Sequence, residues 1–281
     1  MVTIKNDFLT VVISPKGAEL QSVKGTDGHE YIWQADPRFW ASHAPIMFPV
    51  CGGLKEDAYY LDGKRYPMTK HGFAKLCDWK VAGTKENEAV FELTDKHEGF
   101  PFDYVFRCTY TLQERSLVIT YTVENRGKVP FYYGIGSHEA YATPGGLEGC
   151  TVEFEKEEKL EDYVLDGNLI KPEPVVMMEK TKTLPLKTEY FAVDALVFPT
   201  LKSRSVTLVN RNDPHKVRVD YPDVDVLMLW TKPGADYICI EPWSNAPDLT
   251  TTDMQIEHKP GCIRLESGES NTKVHTISFL G

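Results

Sequence analysis

The stretch from Tyr237 reads YICIEPWSNAPD, an apolar strand that runs into a carboxylate, Glu241, held between Ile240 and Pro242. Ionised carboxylates are rarely fully buried without a partner, since desolvation costs several kcal/mol or forces protonation. In a regular strand Tyr237, Cys239, Glu241 and Trp243 share one face, and Ile238 and Ile240 pack on the other. The acid then lies beside two aromatic rings, at a point where Pro242 interrupts pairing. Aromatic faces stack on the C–H surfaces of sugars while an acid takes a hydroxyl, so this is the pattern of a carbohydrate site. The structural alternative is a strand-end glutamate paired with a lysine or arginine, and the local sequence leaves both open.

A second candidate is His138 in FYYGIGSHEAYATP. It follows an alternating segment whose same face carries Tyr132, Gly134 and Gly136. Glycines two and four residues earlier leave that face bare, which predicts a shallow bed where a ligand lies close to the backbone. A histidine at its end titrates near neutrality and can give or take a proton. A core histidine satisfied by hydrogen bonds is the competing reading. The third candidate is His71 in YPMTKHGFAKLCDW, in a turn-like stretch flanked by Phe73 and Trp79. The other six histidines lie in polar or strand contexts and are assigned to structure.

Other chemistries fit less well. A zinc hydrolase of the HExxH type needs a second histidine where SHEAYA has Ala142. A glycosidase needs two carboxylates about 5–9 Å apart, and Glu241 with Asp194 stays open on sequence alone. Nucleophilic catalysis lacks a GxSxG motif, and Cys51 and Cys239 sit in buried-looking runs.

The elements that must carry these residues are strands. LVITYTV alternates Leu117, Ile119, Tyr121 and Val123 with Val118, Thr120 and Thr122, and the preceding FRCTYTL with the turn QERS makes a hairpin. The texture recurs in FLTVVIS, EAVFELT, VTLVN, VDVLMLW and VHTISF, whereas helical patterning is confined to short turns around DPRFWASHA. Many strands without a βαβ rhythm predict an all-β fold, one large antiparallel sandwich over residues 1–281. The charged run from Phe154 to Pro174 is read as a solvated strand edge and loop.

The 281 residues carry a formal net charge of −10, which would repel the phosphates of nucleic acid. No signal-like or membrane-spanning run is seen, so no membrane partner is expected. The six cysteines are scattered without a CxxC pair, as in a cytosolic chain with reduced thiols. A cytoplasmic location is therefore expected.

Three segments together resemble the aldose 1-epimerase, or galactose mutarotase-like, family in its divergent bacterial branch. They are APIMFPVCGGL with GKRYPMTKHGFA, then GIGSHEAYATP, then ICIEPWSNAPD, in family order and spanning nearly the whole chain. AVDALVFPTLKSRSVTL and IRLESGESNTKVHTISF add weaker support. The resemblance implies a supersandwich with a sugar cleft and interconversion of the anomers of an aldose. It implies Glu241 as the general base on the anomeric hydroxyl and His138 as the general acid on the ring oxygen. His71 and Asp194 would hold sugar hydroxyls, and Trp33 and Trp243 are expected to pack on the ring.

No cofactor is expected, whether metal, nucleotide or flavin, and the partner expected is a hexose bound by a monomer or homodimer. Two departures stand out: Gly53 occupies the position of a family arginine that donates to the sugar, and Glu139 follows His138 where the branch carries proline. Alternatives are an epimerase of hexose 6-phosphates, suggested by Lys64, Arg65, Lys70 and Lys75, and a non-catalytic sugar sensor. Opposite charges facing each other across a hexose are expected to keep His138 protonated and Glu241 ionised.

Overall fold

A computed structural model describes all 281 residues. As the alternating patterns require, the chain is built from antiparallel strands, with no α-helix and five short 3-10 turns. No helix is long and apolar enough to cross a membrane.

The larger sheet has nine strands in the order Val175–Pro185, Cys150–Asp162, Ser205–Asn210, Asp213–Asp220, Ser270–Leu280, Ser116–Asn125, Tyr104–Gln113, Glu88–Leu93 and Lys80–Lys85. The hairpin expected around QERS pairs Leu117 with Leu112 and Tyr121 with Cys108. Its alternation is kept: Leu117, Ile119, Tyr121 and Val123 are buried and the residues between them half-exposed.

The second sheet aligns Leu196–Phe198, Val226–Trp230, Tyr237–Trp243, Gly136–Ser137 and Ile46–Met47, with Glu139–Ala142 also paired to the central strand. The inner faces of both sheets meet in one cluster of 64 buried residues that runs from Ile4 to Phe279. This is a sandwich, as the strand pattern predicts. A three-stranded N-terminal meander, Val2–Lys5, Leu9–Ile13 and Leu20–Gly25, contributes to the same core.

The charged run from Phe154 departs from its reading as an edge. Its strand, Cys150–Asp162, is second from the edge, covered by Val175–Pro185. Inside it Glu158 is buried because Ser203 donates from backbone N and Oγ, both at 2.6 Å, and Lys202 N adds a third bond. The chain then turns through a small hairpin, Leu165–Asp166 with Leu169–Ile170, that reaches back over the second sheet.

Candidate active site

The strand Tyr237–Trp243 is buried along its whole length. Ile238 and Ile240 join the common core, while Cys239, Glu241 and Trp243 lie on the other face, as the period of two demands. Register explains why Glu241 meets His138. Gly136 opposes Trp243 and Glu139 opposes Ile240. The two strand pieces keep one register across the gap between them, so His138 falls opposite Glu241. Directly opposed residues of antiparallel neighbours project to the same side. His138 Nε2 stands 3.4 Å from Glu241 Oε2, and Met228 opposes the acid from the other flank.

The pair does not face across a hexose-wide gap, as expected from sequence, but stands side by side. Both groups line a cavity of about 480 Å³, together with Trp40, Met47, Lys70, His71, Lys75, Asn168, Asp194, Trp230 and Trp243. Glu241 is 1% exposed and its Oε2 has no hydrogen-bond partner. Glu158 and Asp248, buried carboxylates remote from the cavity, are held by donors, and Glu139, also buried, meets His275 through one oxygen while its Oε2 is unpartnered. The structural alternative, a lysine or arginine ion pair, is absent at Glu241, and Lys70 spends its own contact on Asp194 at 3.8 Å.

Burial also overturns the expected charge state. It pushes the Glu241 carboxyl well up, against the pull of Lys70, and takes the His138 imidazole down to about 3. Burial therefore favours a neutral acid beside a neutral imidazole. Hydroxyl donors arriving with a ligand favour the carboxylate and move the proton toward histidine.

His71 adopts a left-handed backbone (φ 68°) next to Gly72. Gly72 itself is obligatory, since a Cβ there would lie 2.1 Å from the Phe48 carbonyl. Gly52 N donates to His71 Nδ1 at 3.2 Å, so the ring proton sits on Nε2 and can be donated. Burial, then His138 and the nearby lysines, keeps this ring neutral. Asp194 holds its own turn through Ala195 N and offers its second oxygen to Lys70.

The aromatic expectations divide. Trp243 lines the cavity, pinned by its indole N–H to the Ser137 carbonyl at 2.9 Å. Trp33 does not: it donates to the Trp40 carbonyl and packs behind the wall on Tyr237. Trp40 and Trp230 stand there instead, Trp40 stacked on His138 at 4.9 Å and Trp230 edge-on at 5.7 Å. Both were missed; the local signal was an aromatic pair in the DPRFWASHA turns and a tryptophan closing VDVLMLW.

The predicted glycine bed is filled by protein. The Trp243 ring covers Gly136, where a Cβ would sit 2.5 Å from it, and Asn245 covers Gly134. Tyr132 lies elsewhere, under the Arg264 guanidinium. Above Gly53 the Gly167–Asn168 tip of the small hairpin takes the room of a side chain: a Cβ there would be 2.4 Å from Asn168 O. Asn168 and Leu165 thereby reach the cavity from a segment read as solvated surface. Glu139 points into the core, where its carboxylate meets His275 Nε2 at 3.1 Å.

A β-supersandwich with an acid–imidazole pair on the floor of an aromatic-walled cavity defines the galactose mutarotase-like class. The chain belongs to the aldose 1-epimerase family, whose sequence profile matches residues 1–278. It is 32% identical to the plasmid-encoded LacX protein of Lactococcus lactis over 99% of each chain. Among solved structures it is similar to a galactose mutarotase related enzyme of Lactobacillus acidophilus (TM-score 0.93, 29% identity, 100% and 97% covered). A galactose mutarotase-like protein of Lactobacillus casei is similar at TM-score 0.94 and 26% identity, with 99% of each chain covered.

Proposed function

We propose that this protein is an aldose 1-epimerase that interconverts the α and β anomers of a free aldohexose by general acid–base ring opening. The observation that carries the reading is the buried, partnerless Glu241 oxygen 3.4 Å from the His138 ring. The anomeric hydroxyl oxygen and the ring oxygen are bonded to one carbon. A base for the first and an acid for the second must therefore stand side by side, as these two do.

In this reading Glu241 takes the anomeric hydroxyl proton while His138 protonates the ring oxygen. The C1–O5 bond breaks, the C1 carbonyl forms, and rotation about C1–C2 presents its other face. Closure returns both protons, so the pair ends with the single proton it began with. His71 Nε2–H and Asp194 hold hydroxyls, Asn168 adds an amide at the rim, and Trp243, Trp40 and Trp230 wall the ring. Each positioned acid or base contributes roughly 10²–10⁴-fold, sufficient for a reaction that also proceeds uncatalysed.

Saturation-transfer NMR on galactose and glucose tests this. Faster anomer exchange with wild type, lost with Glu241→Gln and His138→Ala, is the expected result. Sugar binding without any acceleration across a hexose panel would overturn it in favour of a sugar sensor.

A hexose 6-phosphate is the second reading, favoured by two ammonium groups on the cavity wall. Lys75 is half-buried with its Nζ on the Lys70 carbonyl, and burial beside Lys70 lowers its pKa. Lys64 and Arg65 do not contribute: they stand on an outer hairpin, over the Tyr66 ring and on the Glu56 carbonyl. Equal turnover of free and phosphorylated hexose would remove this reading.

A further inference from the structure

The face that carries Glu241 also carries a thiol. Cys239 lies two residues earlier on the same strand, wholly buried under Trp40 and Trp230. Donor atoms of His138, Cys239 and Glu241 all lie within 4.8 Å of one another. Glu241 Oε2 is buried without a hydrogen-bond partner, and the His138 nitrogen that faces it is Nε2, at 3.4 Å. We infer that these three side chains form a trap for a thiophilic divalent cation such as Zn²⁺, entered from the sugar cavity and mutually exclusive with sugar.

The donor set is that of tetrahedral zinc: one sulfur, one imidazole nitrogen and one carboxylate oxygen, at about 2.0–2.3 Å from the ion. Two light-atom ligands of one tetrahedral ion stand roughly 3.4 Å apart, the separation His138 and Glu241 already have. Only the sulfur, which lies behind the cavity lining under Trp40 and Trp230, has to approach. His138 and Glu241 line the cavity, which gives the ion its entry. Binding deprotonates both the Cys239 thiol and the Glu241 acid, so each ion bound releases two protons to solvent, and no oxidant or reductant is involved. Because the ion occupies the two groups proposed to handle the substrate's protons, it acts as an inhibitor and not as a cofactor.

The chain has one other cluster of this kind, His29, Asp213 and His215 at the surface, so the test must separate the two. Full-length protein is titrated with Co²⁺ alone and then with Zn²⁺. One equivalent of Co²⁺ should give a near-ultraviolet thiolate-to-cobalt charge-transfer band, bleached by Zn²⁺. The band should vanish in both Cys239→Ser and Cys239→Ala and persist in His215→Asn. Melting curves without metal check that the variants fold. Absence of the band in wild type would overturn the inference. So would a band surviving in Cys239→Ala, or zinc binding lost in His215→Asn and retained in Cys239→Ala.

Discussion

At the residue scale the contrast that matters is between a buried carboxyl group with donors and one without. Glu158 is held by three donors and needs no ligand, whereas the Glu241 oxygen facing His138 has none. Glu241→Gln should leave the fold intact and cut kcat by about 10²–10⁴-fold, read by anomer exchange beside an unchanged melting curve. Lys70 acts on the same pair: its charge lowers both the Glu241 and the His138 pKa. Removing it in Lys70→Met raises both. The two limbs of the kcat/KM profile should then move together to higher pH, and an unshifted profile would exclude an electrostatic role. YICIEP alone made Glu241 a candidate and put it on the right face. It could not show whether a lysine waited there, because that cation would have come from another strand.

At the element scale the hairpin tip over Gly53 stands out. The missing arginine read from the sequence is not a vacancy, since backbone and Cβ of Asn168 fill the volume. Gly53→Ala must push that tip away, and over-packing of this kind costs about 1–3 kcal/mol, measurable by urea unfolding. The same change should raise KM by withdrawing Asn168. Asn168→Ala should raise KM about 2–10-fold, the worth of one net hydrogen bond of ~0.5–1.5 kcal/mol, with kcat nearly unchanged. Gly134 and Gly136 teach a related lesson. Their lack of side chains was legible, but what lies on them is set by Asn245 and Trp243, more than a hundred residues away.

At the scale of the whole molecule, His215 joins the N-terminal meander to the nine-stranded sheet. Its Nδ1 bonds Asp213 at 2.6 Å and its Nε2 bonds Asp27 at 2.8 Å, so both nitrogens donate and the ring is an imidazolium. Burial opposes that charge, but the bonds to Asp213 and Asp27 outweigh it and raise the pKa. The staple is therefore fully present below the unfolded-state value near 6.5 and is lost as pH rises through the folded one. The Tm deficit of His215→Asn relative to wild type should be larger near about pH 5.5 than near about pH 8; an equal deficit would assign the residue to packing alone. Strand alternation, the sandwich and the candidacy of Glu241, His138, His71, Asp194 and Trp243 were written in the sequence, since a period of two and a local motif act over a few residues. Only the tertiary structure decided that acid and imidazole stand side by side, 3.4 Å apart. It also exchanged Trp33 for Trp40 and Trp230 and brought Asn168 over Gly53. Each depends on register and long-range approach between strands, which no local stretch of the chain encodes.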